Sequence, residues 1–301
     1  MTYDLIIIGS GIAGITAAIY AKRSNLNVLI LEKGAPGGLL NKIDTIKNYP
    51  GFKEITGSEL AAKLFEQINE LNVDLKYEEV INIESVGSLK KVETKNNEYI
   101  TKSILIATGR IPKKLGLNNE DSLYGRGLST CALCDGNFFK GKDVAVIGGG
   151  NSALGEALYL ANLVNKVYII HRRDEFRADS NLISEVINKD NIEIVYNSNV
   201  TNINLDKDIV TSITLDSGNI IAVSGVFVYV GFVPGVNFVE TMGITNDKGY
   251  IITNGYGETK IPGIYAAGDI IDKQIYQLVT AASEGAIAAI NINNYCKKTM
   301  K

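Results

Sequence analysis

The sequence has 301 residues, of which 46% are hydrophobic, and a formal net charge of −3. At about 150 residues per domain, this length predicts two domains, each large enough for its own core. The lysines and arginines are not clustered in a basic block, which argues against nucleic acid as a partner. Apolar runs are strand-sized and fall short of the roughly 18 residues of a membrane span. A strand begins almost at the N-terminus, so we expect no secretory signal and a cytoplasmic protein.

The first predicted strand, residues 3–8, leads into a glycine loop and a helix over residues 15–24. In a dinucleotide-binding fingerprint, Gly9 makes the tight turn, Gly11 lets the backbone approach a pyrophosphate, and Gly14 lets the helix pack on the strand. A strand, a glycine loop and a helix in this order favour a nucleotide site over a plain glycine turn. The predicted contacts of this loop are Gly9, Gly11, Ala13 and Gly14.

A second strand over residues 27–31 ends in Glu32 and Lys33. An acidic residue about 20 positions after the glycine loop binds ribose hydroxyls in this fold, and Glu32 has that position. Residues 35–52 are rich in turn-forming residues and include Gly38 and Asn48. Such ordered, irregular segments often line a ligand site, although a plain loop is the alternative.

Residues 57–71 have the apolar spacing of an amphipathic helix, with Ser58 as its candidate cap. Residues 73–100 alternate between apolar and polar side chains, which predicts antiparallel strands. A further strand, residues 104–107, runs into Ala107, Thr108 and Gly109, and residues 110–112 are expected to cross into the second domain.

Two of the three cysteines form the motif Cys131-Ala-Leu-Cys134, followed directly by Asp135. A zinc site would need a second pair of ligands, but Cys296 and His171 are single and far away in sequence. A purely structural disulfide is unusual in a reducing compartment, so the spacing favours a redox-active pair. Asp135 is then the adjacent group that could give and take a proton as a buried acid, with a turn residue as the alternative.

A second strand–glycine loop–helix unit begins at residue 143 and contains Gly148, Gly150, Asn151, Ser152 and Ala153. Its next strand, residues 166–170, ends in a basic group instead of an acidic residue. Guanidinium groups at this position favour a 2′-phosphate through charge-assisted bonds, which points to NADP; a solvated basic helix start is the alternative. The residues of this basic group are His171, Arg172, Arg173 and Arg177.

The rest of the chain reads as strands over residues 191–230, a return crossing near residues 243–249, a strand and turn ending at Gly268 and Asp269, and a buried helix from about Gln277 to Tyr295. No role is expected for Cys296. The two repeated units predict an α/β protein with two Rossmann-like three-layer nucleotide-binding domains, the second inserted into the first. The predicted boundaries are 1–113 with 246–301 for the first domain and 114–245 for the second.

Over essentially its whole length the chain resembles the low-molecular-weight thioredoxin reductases of bacteria. The matching motifs are the first glycine loop, residues 48–52, Ala107-Thr108-Gly109, Gly125-Arg126-Gly127, residues 131–136, the second glycine loop, residues 171–177 and residues 266–269. The resemblance implies a homodimer that holds FAD in the first domain and NADPH in the second. It also implies that thioredoxin is the substrate, and that the two domains rotate between half-reactions.

The resemblance further implies individual roles. Cys134 faces the flavin, Cys131 attacks the substrate, and Asp135 is the proton donor, while Asp269 contacts the FAD ribityl chain and Gln277 the flavin ring. The implied FAD contacts are Gly9, Gly11, Ala13, Gly14, Glu32, Lys33, Gly38, Asn48, Ala107, Thr108, Gly109, Gly268, Asp269 and Gln277. The implied NADP contacts are Gly148, Gly150, Asn151, Ser152, Ala153, His171, Arg172, Arg173 and Arg177.

The chain departs from the family pattern at Leu39, Gly155, Phe232 and Tyr276. These departures bear on the electron donor, because related reductases of this fold accept electrons from ferredoxin. Two alternatives therefore stand beside an NADPH-dependent thioredoxin reductase. One is a ferredoxin-dependent flavin thioredoxin reductase, and the other is a non-catalytic flavin-binding redox sensor that uses the cysteine pair as a switch.

Overall fold

The structure is a computed structural model that describes residues 2–43, 45–118, 120–236 and 238–299. The helices are α1 (Ile12–Arg23), α2 (Gly57–Glu70), α3 (Glu120–Leu123), α4 (Ala132–Asp135), α5 (Asn151–Ala161), α6 (Ser180–Ile187) and α7 (Leu278–Thr299). The strands are β1 (Thr2–Ile8), β2 (Val28–Glu32), β3 (Asp74–Tyr77), β4 (Val80–Val86), β5 (Leu89–Thr94), β6 (Glu98–Ile106), β7 (Arg110–Pro112), β8 (Leu128–Ser129), β9 (Asp143–Gly148), β10 (Lys166–Ile170), β11 (Ile192–Val195), β12 (Val200–Asp206), β13 (Ile209–Leu215), β14 (Ile220–Ala222), β15 (Gly225–Tyr229), β16 (Phe232–Pro234) and β17 (Ile264–Ala266).

The chain divides into two compact units. The outer unit consists of Met1–Ile111 and Val233–Lys301, and the inner unit is Pro112–Phe232. One unit is thus inserted into the other, and the α/β class with two Rossmann-type units is confirmed. The strands β7 and β16, in which the chain passes from one unit to the other, pair with each other.

The outer unit is built on a sheet in the order β3-β2-β1-β6-β5-β4, with β17 beside the second half of β6. The strands β1, β2, β3, β6 and β17 pair in parallel, whereas β4 and β5 are antiparallel. Residues 73–100 were expected to be antiparallel throughout, but β3 extends the parallel part of the sheet next to β2. Leu5, Ile6 and Ile7 of β1 are fully buried because helices cover one face of the sheet and the segment after β16 covers the other.

The helix α2 shows how local sequence fixes an element of the outer unit. Its cap is Thr56 rather than Ser58, because the Thr56 hydroxyl accepts the Glu59 N–H at 3.2 Å while the Glu59 carboxylate accepts the Thr56 N–H at 3.0 Å. This reciprocal capping box satisfies two backbone donors that would otherwise lack a partner. The helix buries Leu60, Leu64 and Ile68, each worth roughly 1.5–3 kcal/mol of hydrophobic stabilisation.

The return to the outer unit takes place at Phe232 and Val233, not near residues 243–249 as expected. Val236, Val239 and Ile244 lie before or within the predicted crossing, yet they are buried in the core of the outer unit. Their apolar packing against the sheet explains the earlier boundary.

The inner unit has a parallel sheet in the order β11-β10-β9-β15-β8 and a separate antiparallel sheet of β12, β13 and β14. The helix α5 covers one face of the parallel sheet through Leu154, Ala157 and Leu160. Across the described residues of both units, no helix is long and apolar enough to span a membrane.

Candidate functional site

The first glycine loop, between β1 and α1, has the geometry of a phosphate cradle. Gly9 has a φ of +102°, and a Cβ atom there would stand 2.6 Å from the carbonyl oxygen of Ala107. A Cβ atom at Gly14 would collide with the carbonyl of Gly9, so both positions require glycine. Around Gly11, in contrast, no atom of the described residues lies within 4 Å of an added Cβ. The loop is therefore tightly packed on the protein side and open where a pyrophosphate would approach.

Glu32, at the end of β2, holds this loop in place. Its carboxylate accepts the N–H and the hydroxyl of Ser10, both at 2.8 Å, and the N–H of Gly34 at 2.7 Å. Glu32 is buried, so these charge-assisted bonds offset the cost of removing the carboxylate from water. The sequence predicted this acidic position but not its partner Ser10.

Other predicted flavin-site residues converge on the same loop. Gly37 donates its N–H to the carbonyl of Ser10 at 2.8 Å. The neighbouring Gly38 is close to the loop as well, because a Cβ atom built on it would lie 3.8 Å from the Cα of Gly11. Ala107, Thr108 and Gly109 follow β6, beside Gly9. The buried hydroxyl oxygen of Thr108 has no hydrogen-bond partner among the described residues. An open cradle together with an orphaned buried hydroxyl fits a bound dinucleotide such as FAD.

The two predicted contacts near the C-terminus also lie in the outer unit. Asn48 donates to the side chain of Gln277 at 3.0 Å, although the two residues are 229 positions apart. Asp269 accepts a bond from Arg110 at 3.1 Å and pairs with Lys273 at 3.4 Å. Asp269 thus belongs to an ion-pair cluster that the sequence did not reveal.

That cluster continues to Glu284 on α7 and to Tyr276. Glu284 accepts the N–H of Gly268 and an N–H of Lys273, each at 2.9 Å. Burial raises the pKa of Glu284, while Lys273 and the Gly268 N–H oppose that rise. Tyr276, one of the departures from the family pattern, stacks on the Arg110 guanidinium at 4.0 Å from its ring centroid. Neither Arg110 nor Glu284 was predicted, because no sequence periodicity joins residues so far apart.

The second glycine loop, between β9 and α5, repeats this geometry in the inner unit. Gly148 has a φ of +150°, and a Cβ there would collide with the carbonyl of Tyr229. Gly150 has open space around an added Cβ. The N–H of Arg177 donates to the carbonyl of Gly149 at 2.7 Å, so the basic segment lies directly beside the loop. The exposed Asn151 and Ser152 and the buried Ala153 complete the turn into α5.

Within the basic group, His171 differs from the arginines. Arg172 and Arg177 are exposed and Arg173 is half-buried, but only 7% of His171 is accessible. A Cβ atom at Gly149 would collide with the His171 ring, and the His171 Nε2 lies 2.9 Å from the carbonyl oxygen of Glu175. Burial, followed by the charges of the nearby arginines, lowers the pKa of His171. A neutral imidazole thus supports the loop from beneath, and the exposed arginines supply the positive charge.

Cys131 and Cys134 form a disulfide. Cys131 caps the short helix α4, and its sulfur accepts the N–H of Cys134 at 3.2 Å. Cys131 is buried, whereas Cys134 is exposed. The motif therefore presents one accessible and one protected end. No group of three or more metal-binding side chains occurs among the described residues.

Asp135 is tied to the disulfide through Ser129. The Ser129 hydroxyl donates to the Asp135 carboxylate at 2.6 Å and accepts the N–H of Cys131 at 3.0 Å. Asp135 is half-buried, whereas the sequence argument expected a buried acid. Its position directly after Cys134 still suits proton transfer to and from the cysteine pair. Ser129 was not predicted, because a serine close to a motif has many possible roles and no sequence pattern identifies this one.

Comparisons with known proteins agree with this geometry. The sequence profile of the pyridine nucleotide-disulphide oxidoreductases matches residues 3–286. The chain is 41% identical to the thioredoxin reductase of Bacillus subtilis over 301 aligned residues, covering 98% of this chain and 95% of that protein. Its fold is similar to the crystal structure of Lactococcus lactis thioredoxin reductase, with a TM-score of 0.91, 42% identity and coverage of 98% of this chain and 99% of that one. The thioredoxin reductase of T. acidophilum gives a TM-score of 0.88 at 34% identity, covering 100% and 99% of the two chains.

Proposed function

The chain belongs to the pyridine nucleotide-disulphide oxidoreductase family and within it to the thioredoxin reductases, and we propose that it reduces a thioredoxin through Cys131 and Cys134. The observation that carries the proposal is the disulfide itself, in the same unit as the second glycine loop. Ser129 links the backbone N–H of Cys131 to the carboxylate of the adjacent Asp135. As a member of this family the enzyme uses FAD and NADPH.

We assign FAD to the outer unit and NADPH to the inner unit. The open cradle at Gly11 and the orphaned Thr108 hydroxyl support the first assignment. The open cradle at Gly150 and the exposed guanidinium groups of Arg172 and Arg177 support the second. Bound FAD supplies a two-electron carrier between the nicotinamide and the disulfide. The residues of the chain orient both nucleotides and manage the protons.

Reduction and exchange at the two sulfurs conserve electrons and protons. Two electrons and two protons convert the Cys131–Cys134 disulfide into two thiols. Cys131 gives up its proton, its thiolate attacks the disulfide of thioredoxin, and the first thioredoxin thiolate leaves and is protonated. Cys134 then gives up its proton and attacks the Cys131 sulfur of the mixed disulfide, which restores the original disulfide and releases the second thioredoxin thiolate to take up the second proton. Asp135 holds or returns the proton during these exchanges. Because Cys131 is buried, its attack requires the α4 turn to open, and we propose rotation of the inner unit as the accompanying movement.

The helix α7 supports a homodimer. Val279, Ile287 and Ile290 are exposed, and their spacing places them along one side of the helix. Exposed apolar stripes of this kind mark protein–protein interfaces. Ile287→Glu is expected to convert a dimer into monomers in light scattering, and an unchanged mass would contradict this interface. We further infer a cytoplasmic location, since a reducing compartment supplies NADPH and maintains dithiols.

An anaerobic titration tests the proposed function. Stoichiometric NADPH is expected to bleach the flavin absorbance of the purified holoenzyme, and added thioredoxin is expected to restore it. A flavin that stays oxidised with NADPH but is bleached by reduced ferredoxin would replace the donor. Bleaching without any turnover of thioredoxin would favour a redox sensor. Cys134→Ser is the matched control, because it keeps the nucleotide sites and removes only the disulfide.

A further inference from the structure

Tyr229 joins the cysteine motif to the second glycine loop. It is the last residue of β15 and pairs with Gly148 of β9. Its backbone carbonyl fills the space beside Gly148, where a Cβ would collide with it. Its hydroxyl reaches the other way and accepts the N–H of Ala132 at 2.9 Å. One residue therefore contacts both the nucleotide loop and the helix that carries the disulfide.

The hydrogen bond to Ala132 meets a specific need of the helix α4. The first N–H groups of a helix have no partner within the helix. In α4, the Cys134 N–H donates to the Cys131 sulfur and the Asp135 N–H to the Cys131 carbonyl, at 3.2 and 3.1 Å. Ala132 is fully buried, so the Tyr229 hydroxyl serves its N–H in place of water. Removing that acceptor would leave a buried donor unsatisfied.

Glu156 on α5 acts on the Tyr229 hydroxyl through its negative charge. Burial, together with this charge, raises the pKa of Tyr229. The phenol therefore keeps its proton over the working pH range, and its lone pairs face the Ala132 N–H. The Ala132 N–H thus has a protonated, neutral phenol oxygen as its acceptor.

We propose that Tyr229 is a positioning residue that stabilises the disulfide form of the Cys131–Cys134 couple relative to the dithiol form. In the disulfide form the covalent link holds the α4 turn, and the Ala132 N–H depends on Tyr229. In the dithiol form the turn is no longer crosslinked and can relax toward other hydrogen-bond partners. Loss of the phenol oxygen therefore penalises the disulfide more than the dithiol. This inference refines the proposed function, because it concerns the driving force of the same couple.

A redox equilibrium of the purified FAD-loaded protein tests the proposal. The parent and Tyr229→Phe are equilibrated in dithiothreitol buffers of graded ratio, and the free thiols of Cys131 and Cys134 are alkylated and counted by mass spectrometry. We expect the equilibrium of Tyr229→Phe to shift about tenfold toward the dithiol. This shift corresponds to about 30 mV for a two-electron couple. A shift smaller than about twofold, or one toward the disulfide, would overturn the proposal.

Two further variants separate a positioning role from general destabilisation. Tyr196→Phe also removes a tyrosine hydroxyl from the inner unit, where the half-buried Tyr196 ring packs on Phe176, and its couple is expected to match the parent. Glu156→Gln keeps the size of the side chain and removes the negative charge that acts on Tyr229, so its couple is also expected to stay near the parent. If Glu156→Gln shifts as far as Tyr229→Phe, the charge and not the phenol sets the equilibrium. The redox equilibrium needs no thioredoxin. Its outcome can therefore be distinguished from a failure of the enzyme to reduce thioredoxin.

Discussion

Gly150→Ala is expected to separate nucleotide binding from folding in the second glycine loop. Gly150 has a φ of −107° and a ψ of 179°, which alanine adopts without strain. Within the part of the chain that the structure describes, no heavy atom lies within 4 Å of the added methyl group. The free energy of unfolding is therefore expected to change by less than about 1 kcal/mol. The methyl group would instead stand where the pyrophosphate approaches the backbone.

The expected loss follows from the bonds that the loop would make. A hydrogen bond to a charged group is worth about 1.5–3 kcal/mol. Losing one of them weakens the binding of NADP about 10- to 150-fold, since about 1.4 kcal/mol corresponds to a factor of ten. The measurement is calorimetry of NADP binding to the oxidised FAD-loaded enzyme, together with the melting temperature of each variant.

Gly155→Ala is the matched control, five residues further along the same helix. It also has open space around an added Cβ, but it lies within α5 and not at its start. Alanine there is expected to stabilise the protein by about 1 kcal/mol through helix propensity, with unchanged NADP affinity. Equal affinities of Gly150→Ala and the parent, or an equal loss of affinity in both variants, would refute the assignment of this loop to the nucleotide.

The basic segment, Asp135 and His171 of the inner unit can each be tested by substitution. Arg172→Ala and Arg177→Ala should each raise the KM for NADPH about tenfold and leave the KM for NADH almost unchanged. The effect is smaller than for a buried ion pair because both side chains are exposed. Parallel losses with both nucleotides would contradict a contact with the 2′-phosphate. Asp135→Asn should lower kcat for thioredoxin about 100-fold with little change in KM, and a decrease below about threefold would remove Asp135 as the proton donor. His171 is the only histidine, and its pKa is lowered in the folded state. As the pH falls below about 6.5 the unfolded chain takes up a proton that the native protein does not, so stability should decrease there. Measured by chemical unfolding, the decrease in the free energy of unfolding below that pH should be smaller in His171→Gln than in the parent. An identical pH dependence in both proteins would argue against a role of His171.

The sequence predicted those features that depend on short, contiguous patterns. Each glycine loop lies between a strand and a helix within a few residues of the predicted bounds, because turn, phosphate approach and helix packing constrain consecutive positions. The basic segment and the cysteine motif were predicted because each is a short run of neighbouring residues. Glu32 was predicted at the end of β2 because its position is fixed relative to Gly14.

Features that depend on tertiary packing were missed or misplaced. The return crossing was expected about ten residues too late, since glycines near residue 243 suggest a linker while Val239 and Ile244 are buried in the outer core. The pairing of β3 with β2 is parallel, although alternation alone suggested a hairpin. Tyr229 lies 97 positions from Ala132, and no local pattern links a strand-end tyrosine to a helix amide. Such contacts emerge only from the folded chain.

The division of the outer unit has a consequence for the order in which the protein forms during translation. The second half of β6 pairs on one side with β1 and on the other with β17, and α7 packs so closely on α1 that a Cβ at Gly285 would collide with Ala13. Both β17 and α7 leave the ribosome after the entire inner unit. The inner unit can therefore complete its sheet first, while the second half of β6 still lacks its pairing with β17. A nascent chain arrested before residue 260 is expected to present a protease-resistant inner unit and an outer unit that does not yet retain flavin.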